Sequence, residues 1–442
     1  MKTIKWLPVL LAVTAAGCDD LLDVVPLDQI SDQTAIIDEQ SARAALVGAY
    51  SGLQLGSYYG GDYLLWSEIL TDNSEHTGTF ASWADADQND VTSDNGALEG
   101  MWDDIYDAIN RANVLIREVP ELADIEPASR DQILGEVYAL RALHYHNLVR
   151  AWGGVPLVLV PPPTIEEASE VTRASADAVY DQILSDLQQA ASLLSNSNSD
   201  REYVTPGFVD ALRARVELYR ENWAAAEAAA QEVVASGDYE LVSDFRDMFD
   251  DEGTPTSEDI FRIIFTATDF NWLGYFYLFD GRFEQGATAD IVAAFPAGDQ
   301  RRGVTIGAIR SDGIEVTKFP TTLGGEDLHV IRYADVLLIL AEAHARQNEL
   351  TEAVAAYNQI RERAGVAPHT FGVDVATQDD VLAEIWLQRR LEFAFEGDRW
   401  FDLVRADRAP AVLPGVEPFE TLWPIPLNEL DVAPNLEQNP GY

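Results

Sequence analysis

The chain has 442 residues, 47% hydrophobic and 24% charged, which is a globular composition with length enough for a large core. Its 75 acidic residues against 29 basic ones give a net charge of −46. Attraction to nucleic-acid backbones or to an anionic membrane surface is therefore excluded as a binding principle. Lys2, Lys5 and Lys318 are the lysines, and every other basic residue is arginine. A solvated, lysine-poor acidic surface suits a medium in which salt shortens the screening length to ~3 Å at 1 M, and points to a salt-adapted source.

In chain order, Lys2 and Lys5 precede a short apolar run from Trp6 to Ala16, then Ala15-Ala16-Gly17 stand directly before Cys18. The run is too short to span a bilayer and suits a signal-peptide core. The junction resembles a bacterial lipobox, with cleavage before Cys18 and lipid on that cysteine. Residues 1–17 are thus expected to be a lipoprotein signal peptide and 18–40 an acidic, lipid-anchored tether. Asp19 and Asp20 resemble the export signal that sends lipoproteins to the outer face of an outer membrane. As Cys18 is the single cysteine, no intramolecular disulfide is possible.

Helical periodicity dominates from Ser41 onward and predicts helices over about 41–55, 62–70, 98–118, 128–150, 173–194, 206–220, 222–236, 329–347, 350–363 and 379–395. Residues 240–328 break into aromatic runs, glycines and β-prone stretches such as Phe261 to Thr266, and are expected to be irregular and loop-rich. In the pairs 206–236 and 329–363, Ala214 and Ala226 stand twelve apart, as Ala341 and Ala353 do. Small residues at that spacing let two helices approach closely, as in tetratricopeptide repeats. The predicted fold class is mainly α, built from tetratricopeptide-like helix pairs.

No Gly-x-Ser-x-Gly, His-Glu-x-x-His, Gly-x-x-x-x-Gly-Lys or Gly-x-Gly-x-x-Gly motif occurs, so no catalytic residue, cofactor or metal site is assigned. His144 and His146 lie two apart on a helix and point to different sides of it. Asp85, Asp87 and Asn89 imitate the start of a calcium loop, but Asp90 replaces its glycine and Gly96 its final glutamate. Aromatics are the more informative group, because a sugar ring stacks its apolar C–H face on an indole or phenol plane while its hydroxyls need polar partners. The loop from Thr71 to Asn95 offers Asp72, Asn73, Glu75, His76, Phe80 and Trp83. The segment 270–277 offers Trp272, Tyr275 and Tyr277. Trp83, Trp272, Tyr275 and Tyr277 are the expected stacking platforms, and Asp72 and Asn73 the expected partners of hydroxyls. Trp66, among Leu64, Leu65, Ile69 and Leu70, reads as core.

Several stretches together resemble the SusD/RagB family of outer-membrane nutrient-binding lipoproteins. They are the lipobox at Cys18, Leu140 to Arg150 with Trp152-Gly153-Gly154-Val155-Pro156-Leu157, Arg332 to Leu338, Arg389 to Leu403, Pro424-Ile425-Pro426 and Gln438-Asn439-Pro440-Gly441-Tyr442. The resemblance implies one SusD-like body over 41–442, with an N-terminal part to about 235, the irregular region 240–328 and a C-terminal part from 329. It implies a helical scaffold of four helix pairs in which these stretches determine the fold, with the ligand site in the irregular part. It further implies a SusC-like TonB-dependent transporter as partner, oligosaccharide as ligand, no covalent chemistry, and a lipid-anchored place on the cell surface. Peptide capture, a protein-only helical scaffold and a hydrolase are the alternatives. The salt-adapted reading predicts that thermal stability falls as KCl is withdrawn; an unchanged melting curve below ~0.1 M KCl would overturn it.

Overall fold

A computed structural model describes residues 36–161, 164, 167, 169–249 and 253–442. Cys18, the signal peptide and nearly all of the tether lie outside the described residues. The chain enters through α1 (Glu39–Ser51), whose start is fixed by a capping box between Asp38 and Ser41, and continues through α2 (Asp62–Ile69), β1 (Ser74–His76) and α3 (Ala81–Asp87). The long helices α4 (Gly96–Glu118) and α5 (Pro127–Trp152) follow, then α6 (Ala176–Leu193), α7 (Pro206–Tyr219) and α8 (Trp223–Ser236). Asn95, Ser175 and Thr205 cap α4, α6 and α7 with their side chains, answering orphan N–H groups at each helix start.

The middle of the chain holds β2 (Asp259–Ile263), α9 (Leu273–Tyr277), β3 (Gln285–Ala287), α10 (Ala289–Ala294), α11 (Arg302–Thr305), β4 (Ile306–Arg310), β5 (Gly313–Val316) and β6 (Leu328–Arg332). The C-terminal part is α12 (Tyr333–Arg346), α13 (Leu350–Arg363), α14 (Gln378–Glu392), α15 (Arg399–Arg405), α16 (Ala409–Val412) and α17 (Leu427–Val432). Among the described residues the strands form three two-stranded antiparallel ribbons, β1 with β3, β2 with β6 and β4 with β5.

The scaffold is a continuous helical array in which α4 packs on α5, α5 on α6, α6 on α7, α7 on α8, α8 on α12, and α12 on both α13 and α14. Ala214, Ala226, Ala341 and Ala353 are all fully buried at these contacts, as the shared spacing predicts. In α4 the buried Leu98, Met101, Trp102, Ile105, Ala108, Ile109, Ala112 and Leu115 form one stripe, whereas α5 is buried on every side from Val137 to Trp152 apart from Tyr138. His144 and His146 lie inside that helix, and burial pushes both imidazoles toward the neutral form, His144 down to about 3. Trp66 is core.

Two expectations are corrected here. The helix expected over 329–347 begins only at Tyr333, because Leu328–Arg332 is taken up in the antiparallel ribbon with β2, where Leu328, Val330, Ile331 and Arg332 are all buried. The loop expected over Thr71–Asn95 contains β1 and α3, so Trp83 sits on a helix.

The irregular middle and the C-terminal helices are joined by a buried cluster of ion pairs. Arg332 bonds Glu258 at 2.7 Å, Glu392 at 2.6 Å and Glu396 at 2.9 Å. Arg363 also reaches Glu258 and Glu392, Arg301 reaches Asp299 and Glu392, and Lys318 reaches Glu396 at 2.7 Å. Four cations thus face four carboxylates in the buried interior. Burial raises the carboxyls of Glu392 and Glu396, but the surrounding cations outweigh it and hold both below their ordinary value. Asp335, between Arg215 and Arg389, is lowered in the same way.

Carboxylates held low stabilise the fold above their unfolded values, near 3.8 for Asp and 4.5 for Glu, and lose that contribution as pH falls further. Stability is therefore expected to drop steadily below about pH 4.5 in pH-stepped melts at constant KCl. Arg332→Met, which leaves three buried carboxylates short of a partner, is expected to cost roughly 3–5 kcal/mol in urea unfolding.

Candidate functional site

The segment that precedes α9 is anchored by Asn271, which is fully buried. Its side chain donates to Glu326 O at 3.1 Å and accepts from Leu273 N at 2.9 Å, while its own N–H donates to Gly324 O at 2.9 Å. Trp272 N in turn donates to Gly60 O at 2.8 Å, tying this segment to the loop before α2. A satisfied buried amide of this kind fixes backbone direction, and so it aims the next side chain. That side chain is Trp272, which is 36% exposed.

Trp272 stacks on Phe276 at 5.6 Å and 23°, and Phe270 leans on it at 4.5 Å. Phe276 also takes Trp83 edge-on at 5.1 Å and Phe80 at 5.8 Å, and Tyr275 stands edge-on to Trp272 at 5.7 Å. The result is a cleft of about 610 Å³ walled by Phe80, Trp83, Trp272, Tyr275 and Phe276, with Asp62, Ser82 and Arg282 as its polar side chains. Such a surface presents apolar planes to one side of a ligand and hydrogen-bonding groups to its edge.

The polar groups are themselves positioned. Arg282 lies 4.0 Å over the Phe80 ring and pairs with Glu284 through Nε. Glu284 is buried, which raises its carboxyl, but the N–H of Thr79 at 2.6 Å and Arg282 bring it below the ordinary value. A Cβ on Gly78 would fall 1.9 Å from a Glu284 oxygen, so only glycine fits the turn that carries Phe80 into the wall. Asp62 is pushed up to about 6 by burial, against a hydrogen bond from Ser57 at 3.0 Å and with Asp104 nearby. Asp62 is the one carboxylate among the residues lining the cleft.

Of the expected ligand residues, Trp83, Trp272 and Tyr275 come together in this cleft. Trp83 is only 4% exposed, since α3 turns most of its indole between Phe80 and Phe276. Asp72, Asn73 and Tyr277 do not line it, and the expectation for them is corrected. Asp72 takes both Arg399 nitrogens at 2.8 Å and pairs with Arg390; burial raises its carboxyl, but these guanidiniums hold it low. Asn73 is fully buried, donating to Glu68 at 3.0 Å and accepting from Arg390 at 2.8 Å. Tyr277 is buried between Phe319, stacked at 6.0 Å and 11°, and Phe395 at 5.5 Å.

Asp62, Arg282 and Phe276 were not singled out from the sequence. Phe276 carried a signal, its place in the aromatic run, whereas Asp62 is one acid among 75 and Arg282 has no motif. Sequence reading also did not assemble Glu227, His344 and Glu349, which the structure groups across α8 and the α12–α13 turn. His344 Nδ1 lies 2.6 Å from Glu349, and Glu227 accepts from Gln231 and Gln347 at 2.7 and 2.6 Å. Hydrogen bonds account for all three side chains. Asp87, from the calcium-like stretch, accepts from His76 N at 3.1 Å.

Comparison with known proteins agrees with this architecture. A family model described as "SusD family" matches residues 315–421, and one described as "Starch-binding associating with outer membrane" matches residues 22–213. SusD-like protein P38 of Formosa agariphila is 27% identical, over 96% of each chain. SusD-like protein P2 of the same organism is 26% identical over the whole of both. Among solved structures, a laminarin-binding SusD-like protein superposes with a TM-score of 0.82 at 25% identity, covering 92% of this chain and 100% of that one. Surface glycan-binding protein A from Bacteroides fluxus shares the fold, with a TM-score of 0.80 at 24% identity over 92% and 100%. Two matching family models on separate parts of the chain, SusD-like relatives aligned along nearly the full length and a shared helical fold relate this chain to the SusD family.

Proposed function

We propose that this protein is a cell-surface lipoprotein that captures oligosaccharide and delivers it to a TonB-dependent outer-membrane transporter. The observation that carries the reading is the cleft in which Trp272 keeps an exposed indole, backed by Phe276 and flanked by Tyr275 and Trp83. Trp272 and Tyr275 stack on sugar faces, Trp83 and Phe80 close the wall, and Asp62, Ser82 and Arg282 bond hydroxyls. The laminarin-binding relative and the outer-membrane family description support both the ligand class and the location. Cys18 carries the lipid and residues 18–40 the tether, so that a body of residues 41–442 stands off the membrane beside its SusC-like partner. Confinement to one membrane raises the effective concentration of the two proteins, which lets modest ligand affinity suffice.

The cleft is suited to binding without chemistry. Its lining supplies one carboxylate where glycoside hydrolysis uses two, and its one cation, Arg282, is paired to Glu284. A nearly neutral lining also favours neutral glycan over a basic peptide.

Titration calorimetry with laminarin-derived and starch-derived oligosaccharides tests this on the mature chain in molar KCl. Trp272→Ala is expected to weaken binding about tenfold or more, from loss of roughly 1.5 kcal/mol of ring contact, with the folded state retained by circular dichroism. Unchanged affinity in that variant would sink the stacking assignment. Binding is expected to be indifferent to KCl, whereas a steep salt dependence would indicate charged peptide instead. The Asp62 carboxylate accepts hydroxyl hydrogen bonds more strongly than its neutral acid. Affinity should therefore rise with pH through about 6, and Asp62→Asn should flatten that profile.

A further inference from the structure

A second cavity, of about 330 Å³, lies between α1 and β2 and is lined by Tyr50, Gln54, Glu202, Tyr203, Arg262 and Asp269 among others. Its distinctive member is Tyr203, 43% exposed. Three large aromatic side chains are exposed among the described residues, Tyr203, Trp272 and Phe419, and two of them stand in these neighbouring cavities.

Tyr203 is held rather than loose. Its ring meets Tyr50 edge-on at 5.4 Å and 83°. The Tyr50 hydroxyl donates to Glu136 at 2.5 Å and accepts from Val204 N at 2.8 Å, so the supporting ring is fixed at both ends. Arg262 bonds Glu202 at 3.0 Å and Gly253 O at 2.7 Å, which sets the polar rim. The cavity therefore repeats the chemistry of the aromatic cleft: an exposed ring braced by a second ring, with fixed polar groups beside it.

The two cavities are also neighbours through two separate stretches of chain. Gln54 lines the second cavity and Gly56 the cleft, and Asp269 lines the second cavity and Trp272 the cleft. Two residues of extended chain span at most ~7 Å and three at most ~11 Å, so the ridge between the cavities is short on both sides. Phe270 stands on that ridge, 4.5 Å from Trp272.

We infer that the Tyr203 cavity is a second subsite for the same oligosaccharide, and that the ligand is a chain long enough to cross the Phe270 ridge from Trp272 to Tyr203. The inference rests on the capture reading above and adds to it a length requirement. Short oligomers fill the cleft alone, and longer ones gain the second ring.

The test is a ladder of laminarin-derived oligosaccharides, from trimers to decamers, titrated against the mature chain and the Tyr203→Ala, Tyr203→Phe and Trp272→Ala variants. In the wild type, affinity is expected to step up by about tenfold once the oligomer spans both cavities. Tyr203→Ala should abolish that step while leaving the shortest bound oligomers unchanged, and Tyr203→Phe should retain it. A wild-type affinity that does not depend on length overturns the second subsite. So does a Tyr203→Ala variant that binds long oligomers as the wild type does, or one that loses short and long equally. Binding that survives in none of the proteins, or that Trp272→Ala does not affect, instead overturns the capture reading on which the subsite depends.

Discussion

The guanidinium of Arg332 meets Glu258, Glu392 and Glu396 at once, and through them Arg363, Arg301 and Lys318. Each of these side chains comes from a different place: Glu258 precedes β2, Arg332 ends β6, Arg363 ends α13 and Glu392 ends α14. Removing eight charges from water is costly, and their mutual attraction repays it only when all are present in good geometry. The cluster consequently acts as a conformational selector: an alternative docking of the middle region on the helical array strands charges in the interior. For a region built of short ribbons with little regular structure of its own, that selection is what makes its position unique.

From this joint, order passes to the cleft through packed contacts. The chain continues from Glu396 to Gly397, whose positive φ of 84° turns it beneath Leu64, and Gly397 N donates to the buried Glu68 at 3.0 Å. Glu68 accepts from Asn73, which accepts from Arg390, and Asp72 is clamped by Arg399. On the other side Phe395 packs against Tyr277, which lies at the end of the helix bearing Tyr275 and Phe276. Polar and aromatic side chains that the sequence offers as ligand partners instead brace the walls of the cleft.

The charge asymmetry has a matching internal logic. Lys318 is the one lysine among the described residues and is buried with Glu396, so the described surface carries none. Arginines are likewise drawn inward: Arg141 grips Asp186 bidentately at 2.8 Å, and Arg389 and Arg405 share Asp402. Arginine suits this use, since it stays charged when buried and its planar fork fits two carboxylate oxygens. Taking cations inside leaves the surface more acidic than the composition alone suggests, the state that a high-salt medium screens.

The helical scaffold was legible in the sequence because its signals are local. Apolar stripes repeat every three to four residues along α4 and α6, caps precede the helices, and alanines recur at the spacing of close helix pairs. Arg141, Arg150, Arg389 and Asp402 fall in stretches that the family resemblance marks as fold determinants, and all four are buried. The site was legible only by region. Trp83, Trp272 and Tyr275 do converge, but nothing local separates an exposed Trp272 from a buried Tyr277 five residues on; that depends on Phe319 and Phe395, which come from remote turns. Nor could Asp72 and Asn73 be recognised as internal before Arg390 and Arg399 were brought more than 300 residues back along the chain to meet them, or Asp62 be told from the other acids before Trp272 and Arg282 were set around it. Periodicity along the chain determines helices and their buried faces. Which polar group is answered by protein, and which is left to face a ligand, is settled by long-range partners that only the tertiary structure supplies.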